Sequence, residues 1–174
     1  MRYIFIVLLL LLNTSYANSE PIKFKHPDNL FEFFYLDNWS ISSYSKSKSL
    51  FKRNSSDEFA TLSINVTIFS GDKDSFLMSI KKHPNIILDS IKRKFPDAKI
   101  DETKSSYLGS YPGHYLKLSY TIKNFDTKFN CVSICLLSIK DNKLYTVLFE
   151  TQKDFFYKII NEFRGMIASF CFTS

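Results

Sequence analysis

The feature that most limits how this chain can fold is an alternation of apolar and polar residues within positions 59–69, strict from Ala60 to Ile68. Leu62, Ile64, Val66 and Ile68 alternate there with hydroxyl and amide side chains. Successive side chains of a β-strand point to opposite sides of the sheet, so this pattern predicts a strand with one buried and one polar face. A helix would mix the two sets, because its side chains repeat every 3.6 residues. The chain must therefore build a sheet that buries one face of this strand.

Further strands are predicted by similar segments on both sides of this one. In chain order they are residues 30–35, 39–44, 49–52, 98–108, 114–123, 128–140 and 144–150. Short polar pairs such as Asp37-Asn38 and Asp141-Asn142 separate several of these segments, and turns this short join antiparallel neighbours. The sheet is therefore predicted to be mostly antiparallel.

Two longer segments have the 3.6-residue period of an amphipathic helix instead. The first covers residues 73–95, where Pro84 predicts a kink or a split into two helices. The second covers residues 153–170. The apolar stripes are formed by Phe76, Ile80, Ile87 and Ile91 in the first segment and by Phe156, Ile159, Ile160, Phe163, Ile167 and Phe170 in the second. Together the segments predict an α+β fold, an antiparallel sheet flanked by helices.

The first residues have the three parts of a signal peptide. Arg2 gives a short positive start, residues 4–12 are an unbroken apolar run, and Ser15-Tyr16-Ala17 fits the small-x-small rule for cleavage after Ala17. As a helix this run reaches only ~14 Å, whereas a bilayer core needs ~30 Å. The first cysteine is Cys131, which excludes a lipid anchor on a cysteine near the run. We therefore expect residues 1–17 to be removed. Residues 18–174 are expected to form a single domain, without a transmembrane anchor, in the periplasm or outside the cell.

Composition limits the possible partners. Aromatic residues make up 17% of the chain, which is typical of a packed domain and not of a disordered one. The formal net charge is +6 and is spread along the sequence. That charge favours an anionic surface component or an envelope protein as partner and argues against a nucleic acid. Lys81-Lys82 and Lys92-Arg93-Lys94 fit either a patch for anionic lipid, lipopolysaccharide or polymer, or a solvated helix face.

The three cysteines allow one disulfide and one free thiol if the compartment is oxidising. Cys131 and Cys135 share a face of a predicted strand about 13 Å apart, which is too far for a bridge. Any bridge would therefore join Cys171 to Cys131 or to Cys135. The alternative is three buried, reduced cysteines.

The sequence contains no catalytic, metal-binding or cofactor-binding pattern. His26, His83 and His114 are scattered and lack any spacing typical of a zinc site. The chain has four glycines, and they form neither a phosphate-binding loop nor a Gly-x-Ser-x-Gly nucleophile turn. Cys131 and Cys135 lack the redox Cys-x-x-Cys spacing. The sequence therefore predicts a protein that is not an enzyme and that holds no cofactor.

Two predicted strands carry polar residues at alternate positions, and we expect these residues to form one polar face of the sheet. They are Thr61, Ser63, Asn65 and Thr67 on one strand and Tyr115, Lys117, Ser119 and Thr121 on the other. A sheet covered on both sides would be apolar on both sides. The face is therefore predicted to be half open or to form a groove beside a helix. It is the candidate surface for a polar ligand or a peptide, and the alternative is a solvated sheet face.

Several landmarks resemble those of the PsbP-like proteins. They are the aromatic strand and turn Phe33-Phe34-Tyr35-Leu36-Asp37-Asn38-Trp39, the glycine turn Leu108-Gly109-Ser110-Tyr111-Pro112-Gly113-His114, the strand Leu144-Tyr145-Thr146-Val147 and the helix end Ile167-Ala168-Ser169-Phe170. The resemblance covers nearly the whole mature chain, with Leu36 in place of the proline that is usual before the tryptophan. It implies an α/β/α sandwich, shared by the photosystem II extrinsic protein and many small bacterial envelope proteins. It also implies a non-enzymatic accessory or binding role.

Three hypotheses for the function follow. The leading one is an exported, non-catalytic accessory or binding protein of the cell envelope, which recognises a partner through the polar sheet face. The first alternative is a carrier of a small amphipathic ligand in an aromatic-lined pocket, and the second is a hydrolase with an unfamiliar site. A large enclosed apolar pocket would favour the carrier. A buried pair of perturbed carboxylates or a Ser–His contact would favour the hydrolase.

Overall fold

The structure of the chain is a computed structural model, which describes residues 20–55, 58–124 and 127–173. The signal peptide predicted at residues 1–17 lies outside these ranges. Within them, no helix is long and apolar enough to cross a membrane.

Two antiparallel sheets and three helices make up the described part of the chain. In chain order the strands are β1 (Ile22–Lys25), β2 (Phe31–Tyr35), β3 (Trp39–Tyr44), β4 (Lys48–Arg53), β5 (Ala60–Ile68), β6 (Lys99–Leu108), β7 (Tyr111–Asn124), β8 (Thr127–Lys140), β9 (Lys143–Gln152) and β10 (Cys171–Phe172). The helices are α1 (Lys73–Lys82), α2 (Asn85–Lys92) and α3 (Phe156–Ala168). The large sheet has the strand order β3-β4-β5-β9-β8-β7-β6, and the small sheet has the order β1-β2-β10.

The strands of the large sheet follow from the sequence patterns. β5 spans most of the alternating run and pairs with β9 along its whole length. The consecutive strands β7, β8 and β9 form a meander, and its second turn places Asp141 and Asn142 at φ 48° and 54°. Asp and Asn tolerate this left-handed conformation, which matches the turn to the twist of the strands. The predicted antiparallel α+β fold is confirmed.

One side of the large sheet is covered by α3 and by the small sheet, and we call this side the aromatic face. Phe33, Trp39, Phe51, Phe149 and Phe163 are each at most 3% exposed there. The rings contact one another in pairs, for example Phe149 stacked on Phe163 with centroids 4.7 Å apart. Removing such rings from water is the main favourable term in folding, so this side contains the dominant core.

The other side of the large sheet is covered in part by α1 and α2, and we call it the helix-pair face. The Asp72 carboxylate caps α1 by accepting a hydrogen bond from the Ser75 N–H at 2.7 Å. α1 ends before Pro84 and α2 begins directly after it, so the predicted split at this proline is confirmed. Ile80 and Leu88 pack on apolar side chains of β7 and β8. The helices therefore cover the half of this face that β6, β7 and β8 form.

The sequence patterns do not predict two of the strands. β1 pairs with one edge of β2, with Phe24 opposite Phe33. β10 pairs with the other edge, with Phe172 opposite Phe31. Both strands are too short to show an alternating pattern, so pairing with β2 defines them rather than local sequence.

Candidate binding surfaces

The polar residues that we expected on one face lie on opposite faces of the large sheet. β5 connects to β7 through β9 and β8, and across these strands Asn65 lies opposite Thr146, Thr146 opposite Leu137 and Leu137 opposite His114. Residues opposite one another in a ladder share a face, and a shift by one residue changes the face. Asn65 therefore shares its face with His114 and not with Tyr115. The expectation of one shared polar face is corrected: Thr61, Ser63, Asn65 and Thr67 belong to the helix-pair face, and Tyr115, Lys117, Ser119 and Thr121 belong to the aromatic face.

Two of the polar residues of β7 pack against neighbouring elements of the same molecule. Lys117 Nζ lies 4.5 Å from the centre of the Phe156 ring of α3. Lys104 Nζ lies 4.6 Å from the centre of the Tyr115 ring. Burial raises the pKa of Tyr115 to about 12, so this phenol stays protonated at neutral pH. Both contacts are of the cation–π type and join β7 to α3 and β6.

The other two polar residues of β7 bind carboxylates in β6 and in the segment that leads into it. The Ser119 hydroxyl donates to Asp101 Oδ1 at 3.1 Å. The Thr121 N–H donates to Asp97 Oδ1 at 3.2 Å, and hydrogen bonding by Thr121 lowers the pKa of the Asp97 carboxyl. These side chains fix the edge of the sheet.

The polar residues of β5 lie on the half of the helix-pair face that the helices leave uncovered. Thr67 is exposed, Asn65 is half-buried and Ser63 is 9% exposed. Residues of β4 flank them on the same face. We call this surface the open sheet face; its residues are Thr61, Ser63, Asn65, Thr67, Lys48, Leu50 and Lys52. Its exposed and half-buried polar side chains offer hydrogen-bond donors and acceptors, and an antiparallel sheet can present such a face to water or to a partner.

All three cysteines are free thiols. Cys131 and Cys135 are buried on the helix-pair face, whereas Cys171 is exposed on β10, in the small sheet that covers the aromatic face. The large sheet thus separates Cys171 from both partners, and the expected disulfide from Cys171 to Cys131 or Cys135 is not formed. Burial raises the pKa of Cys131 to about 11 and that of Cys135 to about 12. Both therefore remain protonated at neutral pH, and a thiol reacts as its thiolate.

The histidines occupy three separate places. His26 is buried against Phe31, with ring centroids 4.9 Å apart, and His83 is exposed at the end of α1. His114 is buried and its Nε2 lies 2.6 Å from the Thr103 hydroxyl. Burial lowers the pKa of His26 and of His114. The Thr103–His114 contact joins a hydroxyl to an imidazole, but within the described residues no carboxylate is hydrogen-bonded to that ring, so the third member of a nucleophilic triad is missing.

Two of the half-buried carboxylates, Glu150 and Glu162, are engaged on opposite sides of the sheet, and a third, Glu58, shares the Arg53 guanidinium with Glu162. Glu162 of α3 accepts hydrogen bonds from the Trp39 indole at 2.7 Å and from Arg53 at 3.2 Å. Glu150, on the helix-pair face, accepts one from the Tyr120 hydroxyl. The two carboxylates therefore cannot act as a catalytic acid–base pair. Across residues 20–55, 58–124 and 127–173, no group of three or more His, Cys, Asp or Glu side chains is arranged to hold a metal ion.

A groove of 470 Å³ lies between β2 and α3. Phe34, Leu36 and Met166 contribute apolar walls, and Asn161 and Ser169 contribute polar atoms. The volume falls within the range of small-molecule sites, about 300–1,000 Å³. The groove is half open, whereas the carrier hypothesis asked for an enclosed pocket.

Four further clefts surround one end of the large sheet, where β4, β7 and β9 end and β5, β6 and β8 begin. Their volumes are 480, 200, 340 and 470 Å³. Lysines and apolar side chains line their walls, together with the carboxylates of Asp97 and Glu58. We call this surface the basic end; its residues are Lys94, Lys99, Lys123, Lys128, Lys153, Phe59, Ile122 and Phe129.

The sequence shows little of the basic end. Of the predicted basic groups, Lys81-Lys82 and Lys92-Arg93-Lys94, only Lys94 lines the clefts. The other lysines stand singly in the sequence, at the starts and ends of strands. A signal does exist at the hairpin between β7 and β8, since Lys123 and Lys128 flank its turn. This signal indicates a basic surface only once the strand order is known, because the strand order places the remaining lysines next to Lys123 and Lys128.

Comparison by sequence yields no relatives: no protein-family model matches the chain, and no curated protein matches it. Comparison by structure yields many. Cyanobacterial PsbP from Synechocystis sp. PCC 6803 superposes with a TM-score of 0.61 at 15% identity, covering 91% of this chain and 96% of that one. The Ran-binding protein Mog1p of Saccharomyces cerevisiae gives a TM-score of 0.58 at 6% identity, covering 88% and 95%.

A third neighbour is LpqN of Mycobacterium tuberculosis, described as involved in cell envelope biogenesis. It gives a TM-score of 0.50 at 11% identity and covers 90% of this chain and 92% of its own. Identities this low establish a common fold and no common function. The chain therefore has the PsbP-like fold that the sequence landmarks implied.

Proposed function

We propose that this chain is an exported, non-catalytic accessory protein that binds a partner protein through the open sheet face. The observation that carries the proposal is the half of the helix-pair face that α1 and α2 do not cover. There Thr61, Asn65 and Thr67 lie along one face of β5, and Lys48 and Lys52 of β4 lie next to them. A small ligand needs a concave site. A row of polar side chains along an open sheet suits another protein.

The fold neighbours support an accessory role. Mog1p is a Ran-binding protein, and LpqN is involved in cell envelope biogenesis. The N-terminal signal-peptide pattern supports export to the periplasm or the medium. The absence of a metal cluster among the described residues, the separation of Glu150 from Glu162 by the sheet and the pairing of Glu58 and Glu162 with Arg53 give no support to the hydrolase alternative.

Site-specific photo-crosslinking in the native cell tests the proposal. A photoreactive phenylalanine at Thr67, on the open sheet face, is expected to capture one defined protein. The same residue at Tyr157, which is 79% exposed on α3, is the matched control and should not capture it. Asn65→Arg should reduce the yield from Thr67 at least tenfold without changing the thermal midpoint. Identical products from both positions, or an unchanged yield in Asn65→Arg, would reject the open sheet face as the binding surface.

The groove between β2 and α3 favours a second candidate, a carrier of a small amphipathic ligand. Apolar walls with polar atoms at the rim are the usual chemistry of such a site. A side chain introduced at Gly165, which lines the groove and has no atom within 4 Å of its Cβ position, would fill it without disturbing the core. If the protein is a carrier, Gly165→Phe should abolish binding of an amphipathic fluorescent probe. If it is a protein-binding accessory, Gly165→Phe should leave the crosslinked product unchanged.

A further inference from the structure

The geometry of the basic end points to a second interaction, and we propose that this end docks on the surface of an anionic lipid bilayer. The inference goes beyond the proposed function, because it concerns a different surface and needs no protein partner. It rests on three observations: the convergence of five lysines, the lack of an ion-pair partner for four of them within the described residues, and the apolar side chains among them.

The topology brings together lysines that are far apart in the sequence. Lys123 and Lys128 lie directly opposite one another in the β7–β8 ladder. Lys99 begins β6, the strand beside β7. Lys153 follows β9, and its N–H donates to the Asn130 carbonyl of β8 at 2.8 Å. Lys94 follows α2 and shares a cleft with Lys123 and Lys128.

Within the described residues most of these lysines have no ion-pair partner, and one carboxylate, that of Asp97, lines two of the same clefts. The ion pairs found there include neither Lys94, Lys123, Lys128 nor Lys153, while Lys99 lies 4.0 Å from Asp101. Like charges directly opposite one another destabilise a ladder, so the pairing of Lys123 with Lys128 is a cost to the fold. An anionic surface outside the molecule would offset that cost.

Apolar side chains lie among the lysines. Phe59 is 39% exposed, and Ile122 and Phe129 are half-buried around the 340 Å³ cleft. Aromatic and aliphatic side chains surrounded by lysines are the pattern of peripheral membrane binding: the rings enter the headgroup region while the ammonium groups remain at the level of the phosphates. Lysines alone would suffice for a nucleic acid or an acidic polymer. The exposed ring of Phe59 therefore favours the bilayer.

The strength of this interaction can be estimated from its charges. A lysine close to an anionic leaflet contributes enough to raise the partition coefficient about fivefold. Two lysines thus account for about 25-fold, and the effect weakens with salt because the surface potential is screened.

Vesicle co-sedimentation tests the proposal with residues 18–174 of the chain. The probes are vesicles of phosphatidylcholine alone and vesicles with about one-third phosphatidylglycerol. We expect binding that depends on phosphatidylglycerol and weakens with added salt. Lys123→Glu/Lys128→Glu should reduce the partition coefficient at least 25-fold. Lys46→Glu/Lys143→Glu, an equal change of charge at the opposite end of the sheet, where β9 begins, should reduce it less than threefold. Phe59→Ser should reduce it severalfold at every salt concentration.

The outcomes separate clearly once circular dichroism shows that each variant is folded. Equal loss in the two lysine pairs would show attraction by net charge alone and overturn the assignment to the basic end. No dependence on phosphatidylglycerol would overturn the proposal, as would binding to heparin or single-stranded DNA without binding to vesicles. Because the assay contains only the chain and lipid, its result is independent of any protein partner at the open sheet face.

Discussion

The two faces of the large sheet are covered by different kinds of structure. The aromatic face lies under α3 and the small sheet, and its rings are almost completely buried. The helix-pair face is packed by α1 and α2 over β6, β7 and β8 only, and it leaves the open sheet face bare. Packing of large rings contributes most to the stability of a domain this size. The aromatic face therefore contributes most of the stability of the fold. Part of the helix-pair face can present polar groups as a result.

The largest effect should come from neighbouring residues of β9 that point to opposite faces. Phe149 is fully buried on the aromatic face, and Leu148 is half-buried on the helix-pair face. Phe149→Ala should lower the free energy of unfolding by about 3–5 kcal/mol, because it removes a buried ring and leaves a cavity. Leu148→Ala should lower it by only about 1 kcal/mol, because less apolar area is lost. Urea unfolding of both variants measures the difference, and equal losses would contradict the asymmetry.

A smaller effect should appear as a dependence of stability on pH. His26 packs on the aromatic side and His114 on the helix-pair face, and burial lowers the pKa of both below the ordinary value of 6.5. Below pH 6.5 these histidines bind protons in the unfolded chain but stay neutral in the folded chain. Lowering the pH therefore favours the unfolded state. The contribution of these two histidines to the free energy of unfolding should therefore be constant above about pH 7 and fall as the pH drops from 6.5 towards their lowered pKa values.

Substitution of each histidine shows how much of the pH dependence of the free energy of unfolding comes from each face. His26→Asn keeps an acceptor for the Asp28 N–H, and His114→Gln keeps a partner for the Thr103 hydroxyl. Each should remove part of the slope between pH 7 and 5.5, measured by urea unfolding in a series of buffers. His83→Gln, at an exposed position, is the control. A slope that survives in the double variant would show that groups other than these histidines cause it.

The smallest effect on stability is expected at Cys171. Cys171→Ser should change the free energy of unfolding by less than about 0.5 kcal/mol, because the side chain is exposed and unbridged. In the native protein a thiol reagent should label Cys171 quickly and Cys131 and Cys135 only on unfolding. A measurement of intact mass gives both the number of labelled cysteines and the first residue of the chain. If the protein is exported, that residue should be Asn18. A cysteine pair protected from alkylation after unfolding would contradict the three free thiols.

The sequence predicted the individual helices and strands of this fold better than the pairing, order and register of the strands. The alternation in β5 and the effect of Pro84 on the helices are local, and both are confirmed. β1 and β10 are not predicted, because four and two residues are too few for a period to show and their partner strand lies elsewhere in the chain. Tertiary pairing decides such strands.

The candidate site shows the same limit. Alternation correctly groups Asn65 with Thr67 and Lys117 with Ser119. It cannot say whether the two groups point the same way, because that depends on the register of two intervening strands. The disulfide failed for the same reason, since Cys171 and Cys135 lie on opposite sides of the sheet. The basic end depends on strand order, which no local pattern reveals.

The closure of the small sheet also sets an order in time. The Thr173 hydroxyl bonds to the Asn29 carbonyl across 144 positions, and Phe170 stacks on Phe31 with centroids 5.1 Å apart. At a ribosomal rate of about 5–20 residues per second, the partners of Asn29 and Phe31 emerge roughly 7–30 s after them. Throughout that interval Phe31 lacks the Phe170 ring that covers it in the folded domain. The domain therefore completes its fold after translation of its C-terminal strand, and a chaperone has that interval in which to bind the nascent hairpin.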